Sequence, residues 1–209
     1  MRTIALYATE TMADWEYAYL TSQIAIAESI RPGRFALKII GEDLAEMSSL
    51  GGMPVRPTTR ISELATDDSL AALVIPGGNG YGTGHTELLG ALPRILQRSI
   101  PVAAICGATI LLARGSFLDA RRHTSNSLAF LESSGYSGAD YYVEQDVVTD
   151  GGITTASGAQ PVAFTAEVMR LTQLYPDSVV AAWQKHFSGG DAGTNAELSR
   201  AIATWRQAS

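Results

Sequence analysis

The sequence contains very little cysteine and no long run of charge of either sign. Cys106 is the single cysteine among 209 residues, which excludes an internal disulfide and a multi-cysteine metal cluster and fits a reducing compartment. Lysine and arginine together number 15, the net charge is −6, and no basic run is longer than Arg121-Arg122. This balance argues against a nucleic acid or an anionic membrane surface as the partner. We therefore expect a small molecule or another protein.

Long hydrophobic runs are also missing. The apolar run that follows Arg2 is too short for a signal peptide, and no run approaches the length that spans a membrane. Together with the lone cysteine, this favours a cytoplasmic protein without a membrane partner. The hydrophobic content of 46% supports a globular chain with a well-filled core.

Short apolar runs alternate with helical patterns. Strands are predicted at residues 4–7, 35–40, 70–75, 101–105, 119–124, 141–143, 147–148 and 153–156, with a hairpin between residues 47 and 55. Helices are predicted at residues 14–29, 87–97, 128–133, 161–174, 179–187 and 196–207. This alternation predicts a doubly wound α/β sandwich with a mostly parallel sheet and helices on both faces.

The first helix is predicted to be capped by Asp14, and Trp15, Tyr19, Ile24 and Ile26 contribute its bulk. At the other end of the chain, residues 176–209 are expected to form a helical extension of the domain that spans residues 1–175. That extension is expected to cover the pocket or to contribute to a dimer.

Cys106 lies where a buried strand pattern gives way directly to a helix pattern. Ala104 and Ala108 provide the small neighbours that a strained strand-to-helix turn needs, as in the nucleophile elbow of hydrolases. The thiol is then expected at the carboxyl edge of the sheet, where open α/β sheets hold their active sites. The helix N-terminus behind it favours the thiolate. The alternative is a buried cysteine that acts as a small hydrophobic residue.

Two glycines are candidates for backbone donors. Gly78 follows the strand at residues 70–75, and Gly107 follows Cys106, so their N–H groups are expected at the same sheet edge. Two such donors would stabilise the charge that develops on a carbonyl oxygen when sulfur adds to the carbon. The alternative is that the glycines only form a tight turn. No phosphate-binding pattern follows them, so no nucleotide or other cofactor is expected.

Four titratable residues complete the list of candidates. Glu16 either complements the helix dipole or faces Cys106 and shares a proton with it. His123 has a structural or a catalytic role, since it follows the elbow helix and can return to the sheet edge. His85 is interpreted as a helix-capping or rim residue, and His186 as a partly exposed helical residue. No ligand spacing indicates a metal site.

The residues resemble the ThiJ/PfpI family, which also contains the human parkinsonism-associated deglycase and is related to class I glutamine amidotransferases. The resemblance runs from Ile4 to about Leu174, and its motifs are Trp15-Glu16, Val74-Ile75-Pro76-Gly77-Gly78, Ala103-Ala104-Ile105-Cys106-Gly107-Ala108 and Asp150-Gly151-Gly152-Ile153-Thr154-Thr155-Ala156-Ser157-Gly158. It implies a flavodoxin-like sandwich, a nucleophilic Cys106, a carboxylic acid at Glu16, backbone donors at Gly78 and Gly107, and a homodimer.

The chain departs from this family at one position. Members often carry a histidine after a basic-threonine segment, and Asn126 occupies that place here. An amide cannot accept the thiol proton. Three alternatives follow: His123 reaches the site through a local bend, Glu16 moves the proton, or acyl transfer is inefficient. The string His123-Thr124-Ser125-Asn126 resembles a little-characterised bacterial subgroup described as proteases or amidotransferase-like proteins.

Three functions are compatible with these residues. The first is a cysteine-dependent enzyme acting on small carbonyl or amide compounds or on peptides, either as a hydrolase or with glyoxalase-type chemistry. The second is a non-catalytic redox sensor or stress-protective protein, in which Cys106 is oxidised beside Glu16. The third is a binding or scaffold protein that kept the fold without its chemistry.

Overall fold

The structure, a computed structural model, has a seven-stranded sheet at its centre. It describes residues 1–64 and 66–208, so Ser209, the last residue of the expected C-terminal extension, lies outside that description. The strands are β1 (Arg2–Tyr7), β2 (Phe35–Gly41), β3 (Met47–Ser48), β4 (Pro54–Val55), β5 (Thr59–Arg60), β6 (Leu70–Ile75), β7 (Val102–Ile105), β8 (Val147–Asp150) and β9 (Ile153–Ala156).

The strand order is β5-β2-β1-β6-β7-β9-β8, and every neighbouring pair is parallel except β8 with β9. The chain thus starts near the middle of the sheet and builds outward in both directions. The carboxyl ends of β1, β6, β7 and β9 consequently meet at one edge, which is the usual location of a site in such a fold.

Helices cover the sheet on both sides, as the alternating pattern predicts. They are α1 (Asp14–Ile30), α2 (Ile61–Leu64), α3 (Thr86–Gln97), α4 (Ala108–Arg114), α5 (Leu128–Glu132), α6 (Pro161–Thr172), α7 (Asp177–Phe187) and α8 (Ala192–Gln207). None of these helices is long and apolar enough to cross a membrane. The flavodoxin-like α/β fold class is therefore confirmed.

Strand β1 shows why both faces must be covered. Ile4 and Leu6 pack into one apolar cluster, whereas Ala5 and Tyr7 pack into a second cluster on the opposite face. Successive side chains of a strand point to opposite faces of the sheet, so an uninterrupted apolar run buries residues on both sides.

The C-terminal helices pack against the same core as α1 and α6. Trp183 of α7 and Trp205 of α8 are buried, and both belong to the apolar cluster that also contains Phe164 of α6. Arg31 lies over the Trp205 ring, with its guanidinium carbon 4.8 Å from the ring centre. The helices after residue 176 are thus packed onto the sandwich.

Several local predictions are confirmed and others are wrong. β3 and β4 form the predicted hairpin. Residues 119–124 do not form the predicted strand, because His123 makes only an isolated bridge with Tyr142. The predicted strand at residues 141–143 is not formed, because residues 139–141 form a 3₁₀ turn. β8 pairs with β9, so residues 141–143 and 147–148 are not a pair of strands.

The start of α1 also differs from the prediction. Asp14 does not cap the helix; its carboxylate accepts hydrogen bonds from the Ser49 hydroxyl and the Gly51 N–H of the β3–β4 hairpin. Trp15 and Ile26 are 49% and 41% exposed, so they do not fill the core. Asp14 therefore ties the hairpin to α1.

Candidate functional site at the Cys106 elbow

Cys106 occupies a strained turn between β7 and α4. Its φ angle is +57°, in the left-handed region that few non-glycine residues adopt. Its N–H donates to the Ala156 carbonyl at 2.9 Å, which extends the pairing of β7 with β9 by one residue. The turn leaves the thiol half-buried at the carboxyl edge of the sheet. The alternative of a sealed, purely hydrophobic cysteine therefore does not describe this residue.

Glu16 lies beneath the thiol in the first turn of α1. The residue is fully buried, and its Oε2 accepts a hydrogen bond from the Gly77 N–H at 2.5 Å. The Cys106 thiol contacts the carboxyl group and lowers its pKa slightly, although Oε1 makes no well-formed hydrogen bond. Burial outweighs both contacts and raises the pKa of Glu16 to about 7. The carboxyl group is therefore able to hold a proton near neutral pH.

The thiol itself is less acidic than the sequence suggests. Burial raises the pKa of Cys106, and the neighbouring Glu16 raises it further. Hydrogen bonds from the Asn126 side chain and the Gly107 backbone lower the pKa without reversing the shift. The N-terminus of α4, a helix of seven residues, acts in the opposite direction to burial, so a thiolate at this site stays a prediction.

Two glycines make room for the pair. A Cβ atom at Gly158 would lie 2.8 Å from both Cys106 Sγ and Glu16 Oε1. A Cβ atom at Gly77 would lie 2.6 Å from Glu16 Oε2 and 2.8 Å from Cys106 Cβ. Both distances are shorter than real Cβ contacts allow, so larger residues at these positions would push the carboxyl group and the thiol apart.

Asn126 contacts the sulfur from the solvent side. Its Nδ2 donates to Cys106 Sγ at 3.3 Å, while its Oδ1 accepts from the Gly158 N–H at 2.9 Å and from the Ser157 hydroxyl. Since the two donors fix which side of the amide carries the oxygen, the NH₂ group faces the sulfur. Asn126 therefore acts as a donor toward sulfur and cannot act as a base.

His123 is not brought to the sulfur. The ring is fully buried, with Nδ1 2.7 Å from the Arg121 carbonyl and Nε2 3.1 Å from the Tyr136 hydroxyl. Tyr136 and Tyr142 pack edge-on against the imidazole. Burial lowers its pKa, which favours the neutral ring. The structural alternative for His123 thus holds, because both nitrogens are already paired away from the site.

The backbones of Gly78 and Gly107 lie side by side next to the thiol. A Cβ atom at Gly107 would be 3.0 Å from the Gly78 nitrogen and even closer to the Gly78 carbonyl oxygen. Among the described residues, none accepts a hydrogen bond from the Gly78 N–H. The Gly107 N–H faces the sulfur and lowers its pKa.

A cavity of about 560 Å³ opens above the thiol. Its walls come from the loop after β6, from α4 and from α5, and all of its lining residues lie between positions 78 and 134. Ile110 and Phe130 are apolar wall residues, and Arg114 carries a positive charge. The cavity has the volume of a small-molecule site. Residues 176–208 contribute nothing to its walls, so within one chain the extension does not cover the pocket, and a contribution of the extension to a dimer stays a prediction.

The other two histidines lie outside this cavity. His85 occupies the N-cap position of α3 with a φ of +55°, and its Nδ1 is 2.8 Å from the Tyr7 hydroxyl. His186 lies in the last turn of α7, where its Nδ1 is 3.0 Å from the Thr194 hydroxyl. Within residues 1–64 and 66–208, no group of three or more His, Cys, Asp or Glu residues is arranged to hold a metal ion.

Sequence reasoning missed three contributors to the site. The sequence indicates only a turn at Gly158 and only helix bulk at Trp15. In the structure, Trp15 Nε1 donates to the Gly158 carbonyl at 3.0 Å. Arg114 was not considered. A signal for Arg114 was available, since positions 110 and 114 fall on one face of the helix that follows Cys106. Gly158 gave no such signal, because its role depends on the approach of β9 to β7.

The relatives of the chain support its fold and its family. The model of the DJ-1/PfpI family matches residues 2–171. The "Uncharacterized protease YoaZ" of Bacillus subtilis is 32% identical over 189 residues, which cover 88% of this chain and 90% of that protein.

Solved structures show the same similarity. A thiJ/pfpI family protein from Bacillus anthracis superposes with a TM-score of 0.86 at 28% identity, covering 97% of this chain and 98% of that one. The DJ-1 superfamily protein Atu0886 from Agrobacterium tumefaciens gives a TM-score of 0.76 at 32% identity, with 90% and 98% covered. With the family motifs on adjacent strand ends and most of its length matched, the chain belongs to the DJ-1/PfpI family.

Proposed function

We propose that the protein is a cysteine-dependent enzyme in which Cys106 adds to the carbonyl carbon of a small compound and Glu16 carries the proton. The observation behind this proposal is the fully buried Glu16 carboxyl beneath a half-buried thiol at the base of an open cavity. Burial raises the pKa of Glu16 to about 7, the range in which a carboxyl group can both accept and return a proton at neutral pH.

The first step needs only groups that lie at the site. The thiol proton passes to the Glu16 carboxylate, the S–C bond forms, and the electron pair of the C=O double bond moves to oxygen. The N–H groups of Gly78 and Gly107 lie beside the thiol, where they would stabilise this oxyanion. A proton returned by Glu16 then gives a neutral thiohemiacetal when the substrate is an aldehyde.

A 2-oxoaldehyde allows the reaction to proceed without an external oxidant. Glu16 would remove the proton from the former aldehyde carbon and return it to the neighbouring ketone carbon, while the hydroxyl proton on the first carbon moves to the ketone oxygen. The first carbon is thereby oxidised and the second reduced by the same electron pair. Water then cleaves the resulting thioester, which releases a 2-hydroxy acid and restores the thiol. The sum is addition of one water molecule to one 2-oxoaldehyde.

The positions of His123 and Asn126 favour aldehydes over amides. Cleavage of an amide requires an acid that protonates the departing amine, usually a histidine on the solvent side of the sulfur. Here that side is occupied by Asn126, and His123 is paired with Arg121 and Tyr136. The name of the relative YoaZ as an uncharacterized protease makes amides and peptides the comparison to test.

The test compares substrates and variants. We expect the wild-type protein to convert methylglyoxal to lactate and to act at least tenfold more slowly on a panel of amides and short peptides. Cys106→Ala should abolish conversion, and Glu16→Gln should lower it by at least a hundredfold, since the glutamine keeps the shape and loses the proton acceptor. His123→Gln should keep most of the activity. Conversion that survives Cys106→Ala would overturn the mechanism.

The donors around the sulfur favour redox sensing as a second candidate function. The Asn126 NH₂ group and the Glu16 carboxyl both lie at Sγ, and protonated carboxyl and amide groups donate to the oxygens of an oxidised cysteine. Two equivalents of hydrogen peroxide would convert the thiol to the sulfinic acid and release two molecules of water. In this function the protein would turn over no substrate.

Intact-mass measurement after mild peroxide treatment tests the sensor. The wild-type protein should gain two oxygen atoms and stop at the sulfinic acid. Glu16→Gln should form less of this product, or gain a third oxygen atom. An unchanged mass would exclude the sensor. Cys106→Ser provides the control, because it removes the sulfur and keeps a similar volume.

A further inference from the structure

The cavity above Cys106 contains one charged lining residue. Arg114 is the last residue of α4, and the described lining includes no aspartate or glutamate. The protein as a whole carries a net charge of −6. A positive group in the cavity of an acidic protein therefore distinguishes this cavity from most of the surface.

Arg114 shares one wall with the nucleophile. Cys106, Ile110 and Arg114 are four residues apart in sequence, and all three line the cavity. From Ile110 to Arg114 the helix rises about 6 Å, and helical side chains tilt toward the N-terminus. The long side chain of Arg114 lines the same cavity as the thiol, and its guanidinium group reaches the Gly84 carbonyl.

The guanidinium group has unused hydrogen-bonding capacity. Its Nη2 donates to the Gly84 carbonyl at 2.6 Å, whereas its Nε is buried without a partner. The ion pairs of the described residues do not include Arg114. Guanidinium groups bind carboxylates through two parallel N–H donors. An incoming carboxylate would supply the missing acceptor after a small rotation of the side chain.

We propose that Arg114 determines substrate specificity by binding a carboxylate on the far side of the substrate from the carbonyl group that meets Cys106. This assignment rests on the proposed function for its reacting end, and it names the substrate class as carbonyl compounds that carry a carboxylate. The middle of such a molecule would lie along Ile110 and Phe130, which are apolar. Asn79, Ser133 and Ser134 line the remaining wall and are neutral.

The pKa shift at the other end of the cavity is compatible with an anion. A fully ionised Glu16 beside the thiol would repel a second carboxylate, but burial raises its pKa to about 7. A large share of Glu16 is then neutral at pH 7, so Arg114 provides the dominant charge of the site.

A purely structural role for Arg114 predicts something different. The bond to the Gly84 carbonyl holds the loop between β6 and α3 against α4. If Arg114 served only this purpose, its removal would affect neutral and anionic compounds equally. The test therefore compares reagents of equal size that differ in charge.

The experiment measures the rate at which maleimides label Cys106, which requires no catalytic turnover. In this reaction the S–C bond forms, the C=C electron pair moves to the neighbouring carbon, and that carbon takes up a proton. One series of reagents carries an N-alkyl chain of increasing length that ends in a carboxylate. The matched series ends in a neutral carboxamide.

We expect the wild-type protein to react faster with the acid than with the amide at one chain length, and the preference to fall with added salt. Arg114→Gln should lower the ratio of acid rate to amide rate at least fivefold and leave the amide rate within twofold. Arg114→Lys should keep part of the preference, since it retains the charge and loses the planar fork. Arg94→Gln is the control for net charge, because Arg94 is exposed on α3 and outside this cavity.

An equal loss for acids and amides in Arg114→Gln would overturn the assignment, as would a wild-type protein without a preference for the acids. If Arg114→Gln fails to fold, the salt dependence of the wild-type ratio and the Arg114→Lys variant decide the question. Protection of Cys106 by inorganic phosphate but not by succinate would assign the site to phosphate and overturn the carboxylate.

Failure of the proposed function would be recognised separately. A protein that labels with a charge preference but converts no carbonyl compound would contradict the enzyme proposal and leave Arg114 as an anion-binding residue. A protein that converts neutral and acidic carbonyl compounds equally well, with equal labelling rates, would contradict only the role of Arg114.

Discussion

Glu16 and His123 are both fully buried titratable residues, but only one of them is placed for chemistry. Both nitrogens of His123 are paired, with the Arg121 carbonyl and the Tyr136 hydroxyl. Glu16 has one paired oxygen, and its other oxygen lies beside the Cys106 thiol without a well-formed hydrogen bond. The comparison shows that the neighbours of a buried group determine whether its proton is available for reaction.

The direction of the two pKa shifts is consistent with this difference. Burial disfavours the charged form in both residues, so the pKa of His123 is lowered and that of Glu16 is raised to about 7. A neutral imidazole held by two partners stabilises the fold. A carboxyl group that changes charge near neutral pH beside Cys106 is suited to the role of proton carrier that we propose for it.

The largest expected effect is the pH dependence of stability caused by Glu16. Its pKa in the folded protein is about 7, against an ordinary value of 4.5. The folded state therefore binds this proton more tightly, and stability is lost as pH rises from 4.5 through 7. The loss amounts to about 3 kcal/mol, since each unit of pKa corresponds to about 1.4 kcal/mol.

Urea unfolding at pH 5 and pH 8 tests this prediction. The free energy of unfolding of the wild-type protein should fall between these pH values by about 2.5 kcal/mol more than that of Glu16→Gln, since a part of the loss occurs below pH 5. Parallel pH profiles for the two proteins would show that Glu16 titrates normally and would remove the contrast with His123.

The next effect concerns the stability that His123 contributes. His123→Phe fills most of the space but leaves the Arg121 carbonyl and the Tyr136 hydroxyl without their partner. We expect a loss of about 2 kcal/mol in the free energy of unfolding, because unpaired buried polar groups are costly. The labelling rate of Cys106 with a neutral maleimide should stay within twofold of the wild-type value. A large fall in that rate would instead place His123 in the reaction.

Gly158 provides a test of the close packing around the pair. Gly158→Ala adds a carbon 2.8 Å from both the thiol sulfur and the Glu16 carboxyl. We expect the labelling rate of Cys106 to change at least tenfold, which corresponds to about 1.4 kcal/mol in the barrier. Gly82→Ala is the matched control, because Gly82 also lines the cavity and a Cβ there would contact nothing within 4 Å. Equal rates for the two variants would contradict the proposed packing.

The smallest effect is expected at Asn126. Its Nδ2 donates to the sulfur at 3.3 Å and lowers the pKa of Cys106. Asn126→Ala removes this donor, so the labelling rate at pH 8 should fall by roughly two- to threefold, in keeping with a weak hydrogen bond. A rate that rises in the variant would show that the amide shields the thiol instead of stabilising its anion.

Much of the fold was predictable from local sequence. The apolar runs of β1, β6 and β7 are uninterrupted, which is typical of parallel strands buried on both faces. The predicted bounds of these three strands lie within two residues of those observed. Cys106 was predictable for the same reason. A small-residue bracket between a buried strand and a helix leaves few conformations other than an elbow.

The predictions that failed depend on contacts between distant parts of the chain. Residues 119–124 include only one β-branched residue, Thr124, and have no free strand to pair with, since β9 pairs with β7 and β8. His123 therefore turns into an aromatic cluster with Tyr136 and Tyr142. Trp15 looks like a core residue by type, yet it lies 49% exposed, with its indole N–H bonded to the Gly158 carbonyl.

The raised thiol pKa was also beyond local reasoning. A helix start after Cys106 suggests a stabilised thiolate, but the balance depends on how deeply the sulfur is buried and on how close Glu16 lies. Both quantities come from the packing of α1 beneath the β6 and β7 loops. Local sequence places Cys106 at the elbow, whereas tertiary packing sets the pKa of its thiol.

The protonation of the Glu16 carboxyl group is tested most directly by infrared difference spectroscopy. The spectra of the wild-type protein and of Glu16→Gln are compared from pH 5 to pH 8. The account predicts a protonated-carboxyl band at pH 5 to 6 that is absent from the variant and disappears as pH passes through about 7. A band that is already lost below pH 5 would show that Glu16 is ionised throughout the physiological range, and it would contradict the proposed role of this residue as the proton carrier for Cys106.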